Sequence, residues 1–475
     1  GYQVAQAAYG FKQAGMPEPQ GKPDQFIGFI YAATNCAISI RKLKEEIEEL
    51  NKRGEFDQAR EKIAELDDWV RVAAELREKS RELFDTIVDR VNEDPDPDVS
   101  ISAIMKGYER GDLPIVQLVR RVCNYSIDGF KQTLSRVGIE FDSWDWESEL
   151  TVWNGATEEV IEKLKETGFV EEKEGTLVLD VERAAQVFEL KKLFNVKEDY
   201  EIPPLTLRRS DGTTLYTTRD IAYSLWKFSL AEKVINVISI EQRLPQLQLR
   251  IALYLLGKKN YAINLIHYGY ELVHLPDYRM SGRRGRYVTF DQVLGEAVRR
   301  AYREVEKRSP HLSEEEKQRI AEAVGIGAVR YALVSVAASK PLTFTWDRVL
   351  DFERNSGPFL QYAYARAANI LAKAEELAQS PDYTLLESTH EKQLILQLSK
   401  FPETVAEAAD SLRPELIAEY ANDLATIFNS FYDKHPVLAA TPRELRDARL
   451  KLVEAVKVVM GNALQLMGIT PLERM

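Results

Sequence analysis

Glu232-Lys-Val-Ile-Asn-Val-Ile-Ser-Ile240 and Ala262-Ile-Asn-Leu-Ile266 are apolar runs of strand length, and the stretch between them, Gln246 to Leu256, carries its apolar residues at helical spacing. Buried strand, helix and buried strand within about 35 residues make a βαβ unit, which implies a parallel, doubly wound sheet of the Rossmann kind. In such sheets ligands lie beyond the carboxyl ends of the strands. Ligand residues are therefore expected just after 240 and just after 266.

Downstream of this unit the pattern becomes helical. From about Gly325 the stretches 325–340, 357–379, 414–433 and 443–468 place almost every apolar residue at helical spacing and predict a helical bundle. Upstream, Phe56, Ala59, Ile63, Leu66, Val70 and Ala73 alternate steps of three and four and predict one face of a long helix. Asn51-Lys-Arg-Gly54 offers a break before it, so the segment from Leu43 to Val91 reads as an antiparallel helical hairpin, ended by Asn92-Glu-Asp-Pro-Asp-Pro-Asp98. A solvated structural insertion accounts for it. Gly1-Tyr-Gln-Val-Ala-Gln-Ala-Ala8 reads as the middle of a helix, as if the chain began inside a fold. The expected class is α/β plus all-α: part of a doubly wound parallel sheet with a helical insertion, followed by a C-terminal bundle.

The 475 residues suffice for several domains, and 63 Lys and Arg stand against 75 Asp and Glu, a net charge of -12 that argues against indiscriminate DNA binding. Residues 41–94 alone hold 17 carboxylates and 12 bases. Two distant cysteines, Cys36 and Cys123, build neither a disulfide framework nor a zinc knuckle. A reduced, cytoplasmic setting is expected. No apolar run reaches the length of a membrane span and no leader opens the chain, so neither membrane insertion nor secretion is expected.

The stretch richest in chemistry is Tyr278-Arg-Met-Ser-Gly-Arg-Arg-Gly-Arg286, which puts four arginines, two glycines and a serine just past the βαβ unit. Glycine lets backbone amides approach phosphate oxygens, and guanidinium groups neutralise the charge of a leaving pyrophosphate. A solvated basic turn, or one touching only nucleic-acid backbone, has the same composition. Tyr216-Thr-Thr-Arg-Asp220 follows the turn Ser210-Asp-Gly-Thr213, so Tyr216 is expected to end a strand and Asp220 to begin a helix. Asp220 is then either an ordinary cap and dipole partner or the acceptor for a planar cation, with Tyr216 closing the pocket and Gln242 as a neutral hydrogen-bonding partner. In the bundle, Phe359, Tyr362 and Arg366 share one helical face, which is either core or a stacking platform for unpaired bases that Tyr432 joins. The five histidines show no metal spacing, and no G-x-S-x-G or G-x-x-x-x-G-K-[ST] occurs. Positioning and electrostatics, without a covalent nucleophile, are the expected means of catalysis.

These residues resemble the arginyl-tRNA synthetases, a class I group. Met280-Ser-Gly-Arg283 resembles the family's degenerate K-M-S-K-S loop, and Ser210 to Asp220 its arginine-binding signature. Asp410-Ser-Leu-Arg413 is similar to the D-A-L-R element, and Leu466 to Met475 to the family's carboxyl terminus. Four such motifs in the expected order cover residues 168–475. The resemblance implies ATP-dependent activation of arginine and its transfer to the 3′ end of tRNA(Arg), with tRNA bound before arginine is activated. It assigns Tyr216, Asp220 and Gln242 to the substrate arginine. Arg279, Met280, Ser281 and Arg283 become the catalytic loop, which with Gly282 and Arg284 closes on ATP, a substrate expected to carry Mg2+ with no metal site in the protein itself. Phe359, Tyr362, Arg366, Tyr432 and Met475 match positions that meet the anticodon loop in relatives.

Two departures from the family pattern stand out. The second lysine of K-M-S-K-S is absent, which leaves Arg279, Arg283 and Arg284 to supply charge. No H-x-G-H occurs, since His267-Tyr-Gly-Tyr270 follows the wrong strand. The resemblance thus implies that a segment bearing H-I-G-H precedes Gly1, and that the parts are a piece of the catalytic domain (1–25), a helical connective insertion (26–115), the rest of the catalytic domain (116–300), a connector (301–330) and an anticodon-binding domain (331–475). Expected partners are tRNA(Arg), arginine and ATP, with no DNA and no membrane, acting on a monomer. The alternatives are a class I synthetase for another amino acid, although the Cys/His zinc ligands used for cysteine are lacking, and a tRNA-binding module without catalysis.

Overall fold

A computed structural model describes residues 1–210, 212–276, 288–374 and 381–475. The described chain forms two compact units, one of residues 1–269 and one of residues 270–276 and 288–475. The first begins with α1 (Tyr2–Gln13) and the long α2 (Pro23–Arg53). Gly54 ends α2 in the left-handed conformation at φ 75°, and the N–H of Glu55 returns to the Leu50 carbonyl at 3.0 Å, so that α3 (Phe56–Lys79) doubles back. The hairpin expected from Asn51 to Gly54 is present.

Its buried face differs from the expected stripe. Ala59, Trp69, Val72 and Leu76 pack inward, whereas Phe56, Ile63 and Val70 are exposed. Phe56, Ile63 and Val70 form one edge of that stripe and Ala59, Leu66 and Ala73 the other, and only the second edge, with Trp69, Val72 and Leu76 beyond it, turns toward the core. Next come α4 (Arg81–Glu93), α5 (Pro97–Arg110), capped by the Asp96 carboxylate, and α6 (Leu113–Arg136). One apolar core joins these six helices through Tyr9, Ile30, Val72, Ile87, Ile101 and Val119.

A short π-helical turn, Ser148–Val152, leads into the mixed part of this unit, which starts with α7 (Ala156–Lys165), β1 (Val170–Lys173) and β2 (Thr176–Leu179). The chain continues through α8 (Val181–Val187) and α9 (Leu190–Leu193) to β3 (Leu205–Arg208), and the three strands form an antiparallel sheet in that order. Then follow α10 (Tyr216–Leu230), β4 (Val234–Ser239), α11 (Arg243–Leu255), α12 (Lys259–Asn264) and β5 (Leu265–Tyr270), with β4 paired to β5.

The first strand and the helix of the βαβ unit thus lie where expected, and the second strand is displaced. Ala262 to Asn264 close a helical turn whose Ala262 carbonyl accepts from Arg250 Nε at 2.8 Å, and extended backbone begins only at Leu265. Short apolar runs do not separate helix from strand. Nor is β4 buried on both sides: Val234 is buried while Ile235 and Val237 are exposed, because among the described residues β5 is its one neighbour in the sheet.

The second unit opens with β6 (Val273–His274) and the helices α13 (Phe290–Arg308) and α14 (Glu314–Val334), capped by Thr289 and Ser313 in capping boxes. Beyond them β7 (Leu342–Thr343) pairs in parallel with β6, and α15 (Trp346–Val349) follows. The bundle consists of α16 (Gly357–Ala372), α17 (Thr389–Ser399), α18 (Phe401–Ser411), α19 (Glu415–Lys434) and α20 (Arg443–Leu466), packed with the end of α14 around Leu360, Leu424, Phe428, Val453 and Met460. Two of the four predicted helices were misbounded: α14 starts at Glu314 and stops at Val334, and α16 stops at Ala372. Gly357 lets α16 lie against α14, since a Cβ there would meet the Gly327 carbonyl oxygen at 2.4 Å.

Candidate functional site

The turn after β3 builds the first cluster. Arg208 bridges Thr214, the N–H of Arg209 donates to the Thr213 carbonyl at 2.9 Å, and Gly212 takes φ 83°. The Thr218 hydroxyl then donates to the Leu207 carbonyl at 3.0 Å and locks the start of α10 onto β3. Tyr216 therefore opens the helix and does not end a strand. The reason is local: the bridge closes at Thr214, and Leu215 already stands as the helix N-cap.

With Ile221, Ala222, Ser224 and Phe228 turned into the core, the face of α10 left over carries Tyr216, Asp220, Tyr223 and Lys227, at steps of four, three and four. Tyr216 is 57% exposed on this face. Burial pushes the Asp220 carboxyl above its ordinary 3.8 and Glu147 adds to the rise, while Lys227 opposes it. Lys227 in turn is lowered by burial against the pull of Asp220. Its Nζ lies 4.7 Å from the Tyr223 ring centroid and donates to Asn236 Oδ1 at 2.7 Å, and Asn236 Nδ2 donates to Gln246 Oε1 at 2.7 Å. The Tyr223 hydroxyl donates to Asp145 Oδ2 at 2.6 Å.

Gln242 closes the 3-10 turn Ile240–Gln242 directly before α11, as its position after β4 implied. Among the described residues, however, it is Gln246 that joins the polar chain reaching α10. Glu241 and Arg243, just after β4, and His267, the third residue of β5, border a cavity of about 880 Å³ together with Lys197 and Arg250. Sequence reasoning missed Glu147, Tyr223 and Lys227. The helical period starting at Tyr216 would have found the last two; Glu147 acts on the Asp220 charge from a turn distant in sequence and gave no signal.

Arg279, Met280, Ser281, Gly282, Arg283 and Arg284 all lie outside the described residues.

In the bundle, the Ser356 hydroxyl accepts from the Phe359 N–H at 3.1 Å and caps α16. Phe359 is 5% exposed and faces the core, which removes it from the predicted platform. Three residues on, the same helix turns outward. Tyr362 and Tyr432 are 38% and 41% exposed, and the Arg366 guanidinium lies 4.9 Å from one ring centroid and 4.7 Å from the other. Arg366 Nη1 donates to Asn429 Oδ1 at 2.6 Å, which ties α16 to α19 and holds the cation between the rings.

Met475 sits elsewhere in the unit: its carbonyl accepts from Ser309 Oγ at 3.3 Å, and its side chain packs with Val305 and Leu472. The tail leading to it is pinned by Gln361, which donates to the Thr470 and Ala323 carbonyls, and by Arg330 Nε, which donates to the Met467 carbonyl at 3.0 Å. Gly468 takes φ 68°, a left-handed conformation that favours glycine, and lies against the Arg330 guanidinium.

Residues 78–346 match the catalytic domain of class I tRNA synthetases (R), and residues 360–475 match the DALR anticodon binding domain. The chain is 42% identical to the arginine–tRNA ligase of Sulfolobus acidocaldarius, over all of this chain and 75% of that protein, and 44% identical to that of Ignicoccus hospitalis, over all of this chain and 73% of that protein. It thus spans about three quarters of the length of these relatives. Among solved structures it is similar to Thermus thermophilus arginyl-tRNA synthetase, with a TM-score of 0.70 and 30% identity over 83% of this chain and 70% of that one. From the Rossmann-like catalytic part to the helical C-terminal domain, the chain belongs to the arginyl-tRNA synthetases, the arginine–tRNA ligases of class I.

Proposed function

We propose that the half-buried Asp220 carboxylate, with Glu147 beside it, receives the guanidinium of the substrate arginine, and that Tyr216 and Gln242 complete the pocket. One observation carries this reading: burial and a neighbouring carboxylate both resist the ionisation of Asp220, and a planar cation entering the site relieves both. Lysine would bring a point charge in place of a fork and leave acceptors unpaired.

As an aminoacyl-tRNA synthetase the protein uses ATP as a substrate. The arginine carboxylate attacks the α-phosphate and displaces pyrophosphate; the 3′-terminal ribose hydroxyl of the tRNA then attacks the adenylate carbonyl and displaces AMP. No side chain need bond to an intermediate, so the protein's part is to align and stabilise. In this reading the arginines and Met280, Ser281 and Gly282 of the 279–284 segment serve the ATP phosphates, Mg2+ arrives with the nucleotide, and the protein acts as a cytoplasmic monomer on tRNA(Arg). The five-part division at 25, 115, 300 and 330 belongs to the same reading. Among the described residues no helix is long and apolar enough to cross a membrane.

ATP–pyrophosphate exchange by the full-length protein tests the assignment. Exchange is expected with arginine alone among the amino acids, and only with tRNA present. Exchange driven by another amino acid would overturn it, and tRNA binding without exchange would favour the non-catalytic module.

The raised carboxyl makes a second prediction. The free protein holds Asp220 protonated more readily than an unfolded chain does, so its contribution to stability is present below pH 3.8 and is lost as pH rises through the raised value. Arginine needs the ionised form. Affinity measured by calorimetric titration from pH 7 downward should therefore fall with a midpoint above 3.8; a midpoint at or below 3.8 contradicts the pocket.

For the outward face of α16 and α19, we propose stacking of anticodon bases on Tyr362 and Tyr432, with Arg366 between them. Tyr362→Ala and Tyr432→Ala should each weaken tRNA binding by about 1–3 kcal/mol in filter-binding titrations. Unchanged affinity in both variants removes the face from the RNA interface.

A further inference from the structure

Arg219 precedes Asp220 on α10 and so points roughly 100° around the helix from it. It enters a cavity of about 180 Å³ lined by Tyr108, Glu109, Trp146, Glu147 and Trp153. Its side chain is 17% exposed, and its fork has three partners: Nε donates to Thr214 Oγ1 at 3.1 Å, Nη2 to Glu109 Oε1 at 2.9 Å, and Nη1 faces Glu147 Oε2 at 3.7 Å. Glu109 belongs to α5 in the helical part of this unit, and its backbone carbonyl accepts from the Trp153 indole at 3.1 Å, just past the turn that Glu147 begins.

We propose that Arg219 is a positioning residue for arginine recognition: it holds Glu147 in place beside Asp220 and makes that placement depend on Glu109 of α5. This rests on the reading that Asp220 receives the substrate guanidinium. Glu147 is 51% exposed and is repelled by Asp220, so without a cation behind it the carboxylate turns toward water. A substrate would then have to recover Glu147 from solvent and order its rotamer, a cost that preorganisation removes. Arginine suits the task because one planar fork reaches three groups from three elements at once, which an ammonium does not. The arrangement links the helical part of the unit to the amino-acid site through one guanidinium.

Steady-state arginylation by the full-length protein, with arginine and ATP varied separately, is the test. Arg219→Ala should raise the KM for arginine about tenfold or more and leave the KM for ATP and kcat within about twofold. Arg219→Lys should recover part of the loss, and Glu109→Gln should raise the arginine KM about threefold. An unchanged arginine KM in Arg219→Ala overturns the proposal, as does a parallel rise of both KM values with a fall in Tm, which would make the residue merely structural. Should Arg219→Ala fail to fold, Glu109→Gln carries the same prediction. Asp220→Asn separates the two levels. If it leaves the arginine KM unchanged, the pocket reading fails; if it raises that KM while Arg219→Ala and Glu109→Gln do not, only the positioning role fails.

Discussion

Asp220→Asn in the full-length protein is expected to weaken arginine recognition by about 3 kcal/mol or more, read as a rise of more than about a hundredfold in the arginine KM or as loss of arginine-dependent exchange. The size follows from the site. A carboxylate accepts a guanidinium through two oxygens, whereas an amide offers one acceptor and turns an N–H₂ donor toward the other arm of the fork. The substitution is nearly isosteric on a helix whose adjoining face packs through Ile221 and Phe228, so folding should survive. It should even relieve the protein without ligand, since burial and Glu147 both oppose the charge that Asn removes. A variant with higher Tm and lost arginine recognition is the expected signature. Unchanged arginine-dependent turnover would sink the assignment of Asp220.

Glu391→Gln should destabilise the C-terminal unit by about 3–5 kcal/mol in denaturant unfolding, because it leaves a buried guanidinium uncompensated. The Glu391 side chain is 1% exposed; Arg449 Nε donates to its Oε1 at 2.7 Å, and Oε2 accepts from the Ser388 N–H at 2.9 Å in the capping box of α17. Arg449 also donates to the Pro436 carbonyl at 2.8 Å, so one pair joins α17, α20 and the segment after α19. Burial raises the Glu391 carboxyl, but the bonds from Ser388 and Arg449 outweigh it and leave it below its ordinary 4.5. Its contribution is therefore present above pH 4.5 and lost as pH falls through the lowered value. Glu391→Gln should flatten the acid limb of the stability curve. The double variant Glu391→Leu with Arg449→Met should recover much of the loss, as apolar replacement of a buried pair commonly does. If Glu391→Gln unfolds at the same denaturant midpoint as the parent protein, the pair contributes nothing.

How far the sequence reached depends on the range of the interaction that decides each feature. Helices α19 and α20 and the hairpin at Gly54 were legible because helical period, capping and a left-handed glycine are properties of neighbours along the chain. The second strand of the βαβ unit was placed too early, because Ala262 to Ile266 is apolar enough for either state and contact with Arg250 selects the helical turn. Phe359 and Tyr362 share a face by spacing, yet packing against the bundle buries the first and leaves the second beside Arg366 and Tyr432.

The same division runs through the site. Asp220 and Tyr216 could be picked out because their motif is contiguous, and the ordered motifs from Ser210 to Met475 were enough for the family, since local spacing records which side chains one turn or helix presents. That the two share one helix, that Glu147 raises the Asp220 carboxyl, and that Arg219 ties Glu109 to Glu147 are matters of the folded chain alone. Burial and Coulomb interaction depend on distance through space, and no spacing along the chain encodes that distance between residues so far apart in it.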